Sequence, residues 1–296
     1  MKSTNNQKQM RLGAVHMIVT DMERMLSFYQ TYLGLQVHWK KAGQAGVGTG
    51  KEDLVVLHED PAAPHFAQTT NIYHFAIFMA DRITFAKAVA RLMAKRWPNY
   101  PTDHLISETT YLEDPEGNTI ELTLETPERG TIEYGEDGMP EFRDAEGNLR
   151  SGRDPVDVQA LFKTLKVGED LETLLPLSTR IHHVHLYVND MEKTREFYRD
   201  IIGFNEMSFV PQIGMADMGP LGYVVHMLAY NIWRGEGAAP LPKGAAGLKY
   251  FTVVLPSEAD LKKALERAEK AGIKTKELDG GHLLYDPSQL GVLIKA

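Results

Sequence analysis

The chain has 296 residues, with 40 acidic side chains against 32 lysines and arginines, and 43% of it is hydrophobic, the balance of a globular chain of about two domains rather than a disordered or fibrous one. A net charge of −8 without a Lys/Arg stripe offers no footprint for nucleic acid or an anionic membrane, so a small molecule is the expected partner. The lack of cysteine removes disulfides, thiolate zinc sites, iron–sulfur clusters and thiol nucleophiles, and any metal must be held by His, Asp or Glu.

Residues 1–10, MKSTNNQKQM, are polar and read as a disordered tail. They lack the apolar core of a signal peptide, and no apolar run approaches the ~18 residues of a membrane span, so the cytoplasm is the expected compartment. A β-type run, Ala14–Val19, leads into an amphipathic helix over Met22–Leu33 and then into short strands such as Leu54–Leu57. The same order follows with Tyr73–Met79, a helix over Ile83–Lys95 and a strand over Thr119–Leu124. The stretch from Thr126 to Arg180 is rich in Glu, Asp, Gly and Arg, with one helix expected over Val156–Leu165. It is too long for an ordinary connection and reads as a linker or a covering excursion. Beyond it come Val184–Val188 with a helix over Met191–Ile202, and Tyr250–Leu255 with a helix over Glu258–Ala271.

The pattern is a repeat. Val15-His16-Met17, Asp21-Met22-Glu23, Phe28-Tyr29 and Gly34 match Val184-His185-Leu186, Asp190-Met191-Glu192, Phe197-Tyr198 and Gly203 at one ungapped offset of 169 residues. A second match joins His74-Phe75 to Tyr250-Phe251 and Asp114-Pro115 to Asp286-Pro287. The expectation is an α+β protein of four βαβββ modules paired into two half-barrel domains. Modules 1 and 2 would fill residues 11–125, the excursion 126–180, and modules 3 and 4 residues 181–296.

Three histidines, His16, His74 and His185, read as occupying the same early position of the first strand in modules 1, 2 and 3, where module 4 has Tyr250. Alternation along a strand would send all three toward one face of their modules. Glu121 lies on a late strand of module 2 among the alternating polar residues Thr119, Thr123 and Glu125, and its counterpart in module 4 is Leu293. One such histidine is more often a hydrogen-bonded structural residue than a ligand. As a set that module 4 lacks, they read as two imidazoles and a carboxylate converging from separate strands, a facial arrangement that suits Fe(II) and leaves one side of the metal open.

The segment from His104 to Glu121, HLISETTYLEDPEGNTIE, resembles the signature of extradiol ring-cleavage dioxygenases. His104, Tyr111, Asp114, Pro115, Gly117 and Glu121 stand at the matching spacings, while Thr110 departs from the usual apolar residue. The repeat over nearly the whole chain is similar to the glyoxalase-like, vicinal-oxygen-chelate superfamily, and within it to the Bacillus-type catechol-2,3-dioxygenases. The resemblance implies Fe(II), or Mn(II) on the same ligands, a catechol and O2 as substrates, a muconic semialdehyde as product, and a homo-oligomer. It also implies that His74 and Glu121 of module 2 bind metal together with a histidine from module 3 (His185) or module 1 (His16).

A further catalytic histidine is implied on the last strand of the module that donates the first ligand. His226, in the run Tyr223–Ala229, fits that position, whereas the comparable strand Lys51–His58 of module 1 sets Leu54 or Val55 there. This favours pairing module 2 with module 3 and a triad of His185, His74 and Glu121. His226 would then take a substrate proton, and His104 and Tyr111 would hydrogen-bond the substrate oxygen. His183 shares the face of His185 as a pocket residue or partner of a ligand. Trp233 and Phe209 are candidates for the pocket wall, and His16 becomes a packing remnant of a structural pair of modules. Two other readings of such modules are a glyoxalase-type isomerase, which uses a metal with more carboxylate ligands, and a protein that sequesters aromatic drugs without turnover.

Overall fold

The structure is a computed structural model that describes residues 9–50, 52–135, 138–221 and 225–296. Most of the expected tail, together with Tyr223 and Val224, lies outside the described residues. Met10, assigned to that tail, is buried in the core.

Four βαβββ modules are present. Module 1 comprises β1 (Arg11–Val19), α1 (Met22–Thr31), β2 (Gln36–Lys41), β3 (Gln44–Thr49) and β4 (Glu52–Glu59). Module 2 comprises β5 (Asn71–Phe78), α2 (Arg82–Ala94), β6 (Tyr100–Asp103), β7 (Ser107–Glu113) and β8 (Thr119–Glu125). The excursion carries β9 (Gly130–Tyr134), β10 (Pro140–Asp144), β11 (Leu149–Arg150), β12 (Asp154–Pro155) and α3 (Val158–Phe162). Module 3 comprises β13 (Ile181–Tyr187), α4 (Met191–Glu196), β14 (Asn205–Val210), β15 (Met215–Gly219) and β16 (Leu228–Asn231). Module 4 comprises β17 (Gly247–Val254), α5 (Glu258–Lys270), β18 (Lys276–Leu278), β19 (Gly281–Tyr285) and β20 (Gly291–Lys295).

Each module turns from first strand to helix at a capping residue. The side chains of Asp21, Asp81, Asp190 and Ser257 accept the backbone N–H three residues on, which fixes the helix start just past the strand. The helices then bury one apolar stripe, as with Met22, Met25, Leu26, Phe28 and Tyr29 of α1. The third helix departs from the single α-helix expected over Met191–Ile202. After Glu196 it widens into a π-helical stretch, Phe197–Ile202, and ends at Gly203 with φ +102°.

The modules pair as 1 with 4 and 2 with 3. One eight-stranded sheet runs β18-β19-β20-β17-β1-β4-β3-β2, and one nine-stranded sheet runs β12-β6-β7-β8-β5-β13-β16-β15-β14. In each sheet the two first strands meet antiparallel at the centre, β1 on β17 and β5 on β13, and each continues parallel to the last strand of its own module. One hydrophobic core draws on all four modules. The halves also interlock through polar groups: the backbone N–H groups of Thr20 and Asp21 donate to Glu116 Oε1 in the β7–β8 turn, and Thr70 Oγ1 donates to the Ser288 carbonyl.

The excursion is more structured than the sequence suggests. β9, β10 and β11 form a separate three-stranded sheet, and β12 extends the module 2–3 sheet by pairing with β6. Downstream, the buried guanidinium of Arg91 donates to the carbonyls of Leu171 and Thr173, holding that stretch on α2. No helix among the described residues is long and apolar enough to cross a membrane.

Candidate metal centre

The central strands β5 and β13 carry the site. His185 stands directly across from His74. Glu121 on β8 is level with Ala76, two residues further along β5. A bulge in β13 between Ile181 and Val184 sets residues 182 and 183 across from that same level. The residue facing both His74 and Glu121 is therefore His183.

The geometry is that of a cation site. His74 Nε2 and His183 Nε2 are 3.0 Å apart, and they stand 3.1 and 3.2 Å from Glu121 Oε2. All three side chains are buried, and their donor atoms form the one such metal-ligand group among the described residues. Two donors each ~2.1 Å from a common ion are ~3.0 Å apart at right angles but ~3.4 Å at the tetrahedral angle. The observed spacings of 3.0–3.2 Å fall within this range, so the three atoms could converge on one ion.

Charge is arranged to match. Burial works against ionisation of Glu121, but the adjoining His183 and His74 outweigh it and hold the carboxyl well below its usual range. Burial and then the neighbouring His226 hold His183 well below the ordinary imidazole value. An anionic carboxylate and a neutral imidazole are the forms that bind metal. Thr109 Oγ1 donates to Glu121 Oε1 at 2.7 Å and fixes the oxygen turned away from the histidines.

His185, expected in the triad, is placed elsewhere. Its Nε2 accepts from Asn231 Nδ2 at 2.8 Å, and its ring meets Tyr73 edge-on at 4.9 Å with Trp233 at 5.8 Å. Burial, followed by His74, keeps it neutral. It is a wall residue beside the centre. The reason lies in module register. His74 is seven residues before its helix cap Asp81, and His183 is seven before Asp190, whereas His185 and His16 are each five before theirs. His74 thus corresponds to His183, and the expected equivalence of His16, His74 and His185 is out by two for His74. The corresponding residue of module 1 is Ala14 and that of module 4 is Tyr250.

The other expected residues gather round the centre. The His226 ring is 4.3 Å from that of His183, its Nδ1 is 3.6 Å from Asp217 Oδ1, and its buried Nε2 has no hydrogen-bond partner among the described residues. It sits in the turn just before β16 rather than on the strand. Burial lowers its pKa against the pull of Asp217. Tyr111 lies across from Glu121 on β7, with its ring 5.7 Å from that of His74 and its hydroxyl 3.1 Å from His104 Nε2. Burial and then Glu121 raise the phenol, so it stays protonated. His104 Nδ1 donates to the Gly152 carbonyl at 2.6 Å, a bond that brings the excursion to the mouth of the site. Trp233 adjoins His185 and Tyr73, but Phe209 packs under the Arg195 guanidinium instead of lining the centre.

The module 1–4 sheet has the same place filled. Tyr250 stacks on His16 at 4.0 Å and donates its hydroxyl to Asp279, and Leu293 stands level with Thr252 where Glu121 stands level with Ala76. His16 Nδ1 lies 3.1 Å from His58 Nε2. Burial and then His58 lower His16 to about 3, and burial and then Lys249 lower His58 to about 4. This half holds a neutral, packed histidine pair and, among the described residues, no metal-ligand triad.

Comparison with known proteins agrees with this architecture. Residues 11–122 and 180–281 match the family model described as the Glyoxalase/Bleomycin resistance protein/Dioxygenase superfamily. The chain is 34% identical over 287 residues, 96% of each chain, to the catechol-2,3-dioxygenase of Bacillus subtilis (strain 168). Its fold is similar to a putative dioxygenase from Bacillus subtilis subsp. subtilis str. 168 (TM-score 0.61, 12% identity, 97% of this chain and 85% of that one). Glyoxalase I from Zea mays is similar too (TM-score 0.58, 16% identity, 97% of this chain and 92% of that one). With the duplicated modules and nearly full-length likeness on the page, the chain belongs to the Glyoxalase/Bleomycin resistance protein/Dioxygenase superfamily.

Proposed function

We propose that the chain is an Fe(II)-dependent extradiol dioxygenase that opens catechol or a substituted catechol beside the diol with O2, giving a muconic semialdehyde. The observation that carries this reading is the buried triangle of His74, His183 and Glu121, two imidazole nitrogens and one carboxylate oxygen 3.0–3.2 Å apart. Full-length similarity to a catechol-2,3-dioxygenase supports it. Fe(II) held there would chelate the diol, lower the pKa of its hydroxyls and pass electron density to O2.

The chain's own residues handle protons and orientation. Gly152 accepts from His104 Nδ1, so His104 Nε2 is left to accept the Tyr111 proton. The Tyr111 oxygen then accepts a substrate hydroxyl proton as its own passes toward His104. On the other side, the unpartnered Nε2 of His226 is free to take or return a proton, with the Asp217 carboxylate near Nδ1 to balance the charge. His185, Tyr73 and Trp233 stand ring to ring as an aromatic wall against which a substrate ring would pack.

An isomerase-type metal set would draw a second carboxylate from module 3. The residue there that corresponds to Glu121 is Ala229, level with His185, which favours the dioxygenase. The test is anaerobic loading with Fe(II), then catechol and air, reading the yellow semialdehyde. Wild type and His16→Ala are expected to give product and His183→Ala none. Iron-loaded wild type that leaves every catechol intact would sink the dioxygenase reading.

A further inference from the structure

Two consecutive imidazoles on a regular strand point to opposite faces and do not meet. The β13 bulge changes that: His182 Nδ1 and His183 Nδ1 are 2.7 Å apart. On its far side, His182 Nε2 lies 2.9 Å from Glu125 Oε1, at the end of β8. The His182 ring stacks on Phe78 at an interplanar angle of 6°, and the Arg180 guanidinium lies against the Phe78 ring.

Proton counting gives this chain of contacts one sense. An ionised carboxylate only accepts, so His182 Nε2 carries the proton toward Glu125. With one proton on that ring, His182 Nδ1 is an acceptor, and the proton between the two rings belongs to His183 Nδ1. That leaves the lone pair of His183 on Nε2, the atom that faces His74 and Glu121. The opposite sense would put a proton on His183 Nε2 and close it to a metal.

The pseudo-twofold between modules 2 and 3 supplies a comparison. Counting from the helix caps, His182 corresponds to Tyr73, and counting along the paired strands, Glu125 corresponds to Trp233. Those two pack as rings 5.6 Å apart with no relay. His74 accordingly has a buried Nδ1 with no partner among the described residues. One histidine of the pair is backed by a polar chain reaching toward solvent, and the other is not.

We propose that Glu125 and His182 are positioning residues that fix the tautomer and ring plane of His183 and so set the affinity of the metal centre. This rests on the proposed metal site. The measurement is anaerobic Fe(II) affinity without substrate, by chelator competition, on the full chain and four variants, with melting of each metal-free protein as the folding control. His182→Phe keeps the stack on Phe78 but accepts nothing, and Glu125→Leu removes the acceptor at a partly exposed position. Each is expected to weaken Fe(II) binding by about 10- to 100-fold with metal-free melting unchanged. Glu125→Gln, whose amide oxygen still accepts, should recover most of the affinity. The double variant His182→Phe/Glu125→Leu should be no weaker than His182→Phe alone, since one chain is broken once. Single variants that bind within about twofold of wild type, or losses that simply add, would overturn the relay. Wild type that binds no Fe(II) would overturn the metal site and the relay with it.

Discussion

His183 and His185 sit on one strand, two positions apart, and are both buried and neutral. What separates them is the partner at Nε2: a carboxylate and a second imidazole for His183, a carboxamide N–H for His185. His183→Ala should therefore weaken Fe(II) binding by more than about 100-fold, beyond the range for residues outside the ligand set. His185→Gln should hold one iron per chain and lose turnover instead, because it alters the wall against Tyr73 and Trp233. Iron content and single-turnover rates measured together separate the two outcomes. His74 and Glu121 were legible in the sequence because the signature ending at Glu121 and the strand before Asp81 point to them. His185 drew attention because it repeats as His16. Repetition marks what the modules share, whereas a site present in one pair of modules is marked by what they do not share, and His183 against Ala14 is that difference.

Among elements, the excursion departs furthest from its sequence reading. β9 places Ile132, Glu133 and Tyr134 at the surface and every residue of β10 is only half-buried, so neither strand has the buried apolar face by which strands are recognised. The four helices and their first strands, each with a buried stripe, were legible to within a few residues. The excursion's contact with the site is the Gly152 carbonyl. Gly152 has φ +68°, and a Cβ there would fall 2.5 Å from the Phe142 ring. Gly152→Ala should cost about 1–2 kcal/mol in stability from backbone strain. It should also lower kcat through misplacement of His104, with iron content unchanged; urea unfolding and steady-state rates test the two parts. Further along, Arg91→Met keeps the buried stem but removes the donors to Leu171 and Thr173, and a loss of about 3 kcal/mol in urea unfolding is expected.

At the scale of the whole molecule, the two halves meet over matching Asp-Pro turns. Burial raises Asp286 to about 7 and Asp114 to about 6; Asp286 Oδ2 accepts the Tyr198 hydroxyl and Oδ1 the Leu290 N–H. With its pKa in the fold above the unfolded value, Asp286 favours folding most below the ordinary carboxylate range. That contribution is lost as pH rises through about 7. Relative to Asp286→Asn, wild type should lose up to ~1.4 kcal/mol per pH unit between about pH 4 and 7 and run parallel above it. Equal slopes in urea unfolding across that range would show the carboxyl to be ionised throughout.

The pairing of modules 2 with 3 and 1 with 4 nests one sheet inside the other along the chain, like brackets within brackets. On a ribosome the inner pair has all its strands once Asn231 emerges, so the module 2–3 sheet can assemble while synthesis continues. β1 must wait, its edge unpaired, until β17 arrives more than 200 residues later. The module 1–4 sheet, whose described residues form no metal-ligand group, thus closes after the module 2–3 sheet, and loss of either β1 or β17 opens it. His16 and Tyr250, stacked at 4.0 Å across β1 and β17, lie on the seam that joins the first module to the fourth.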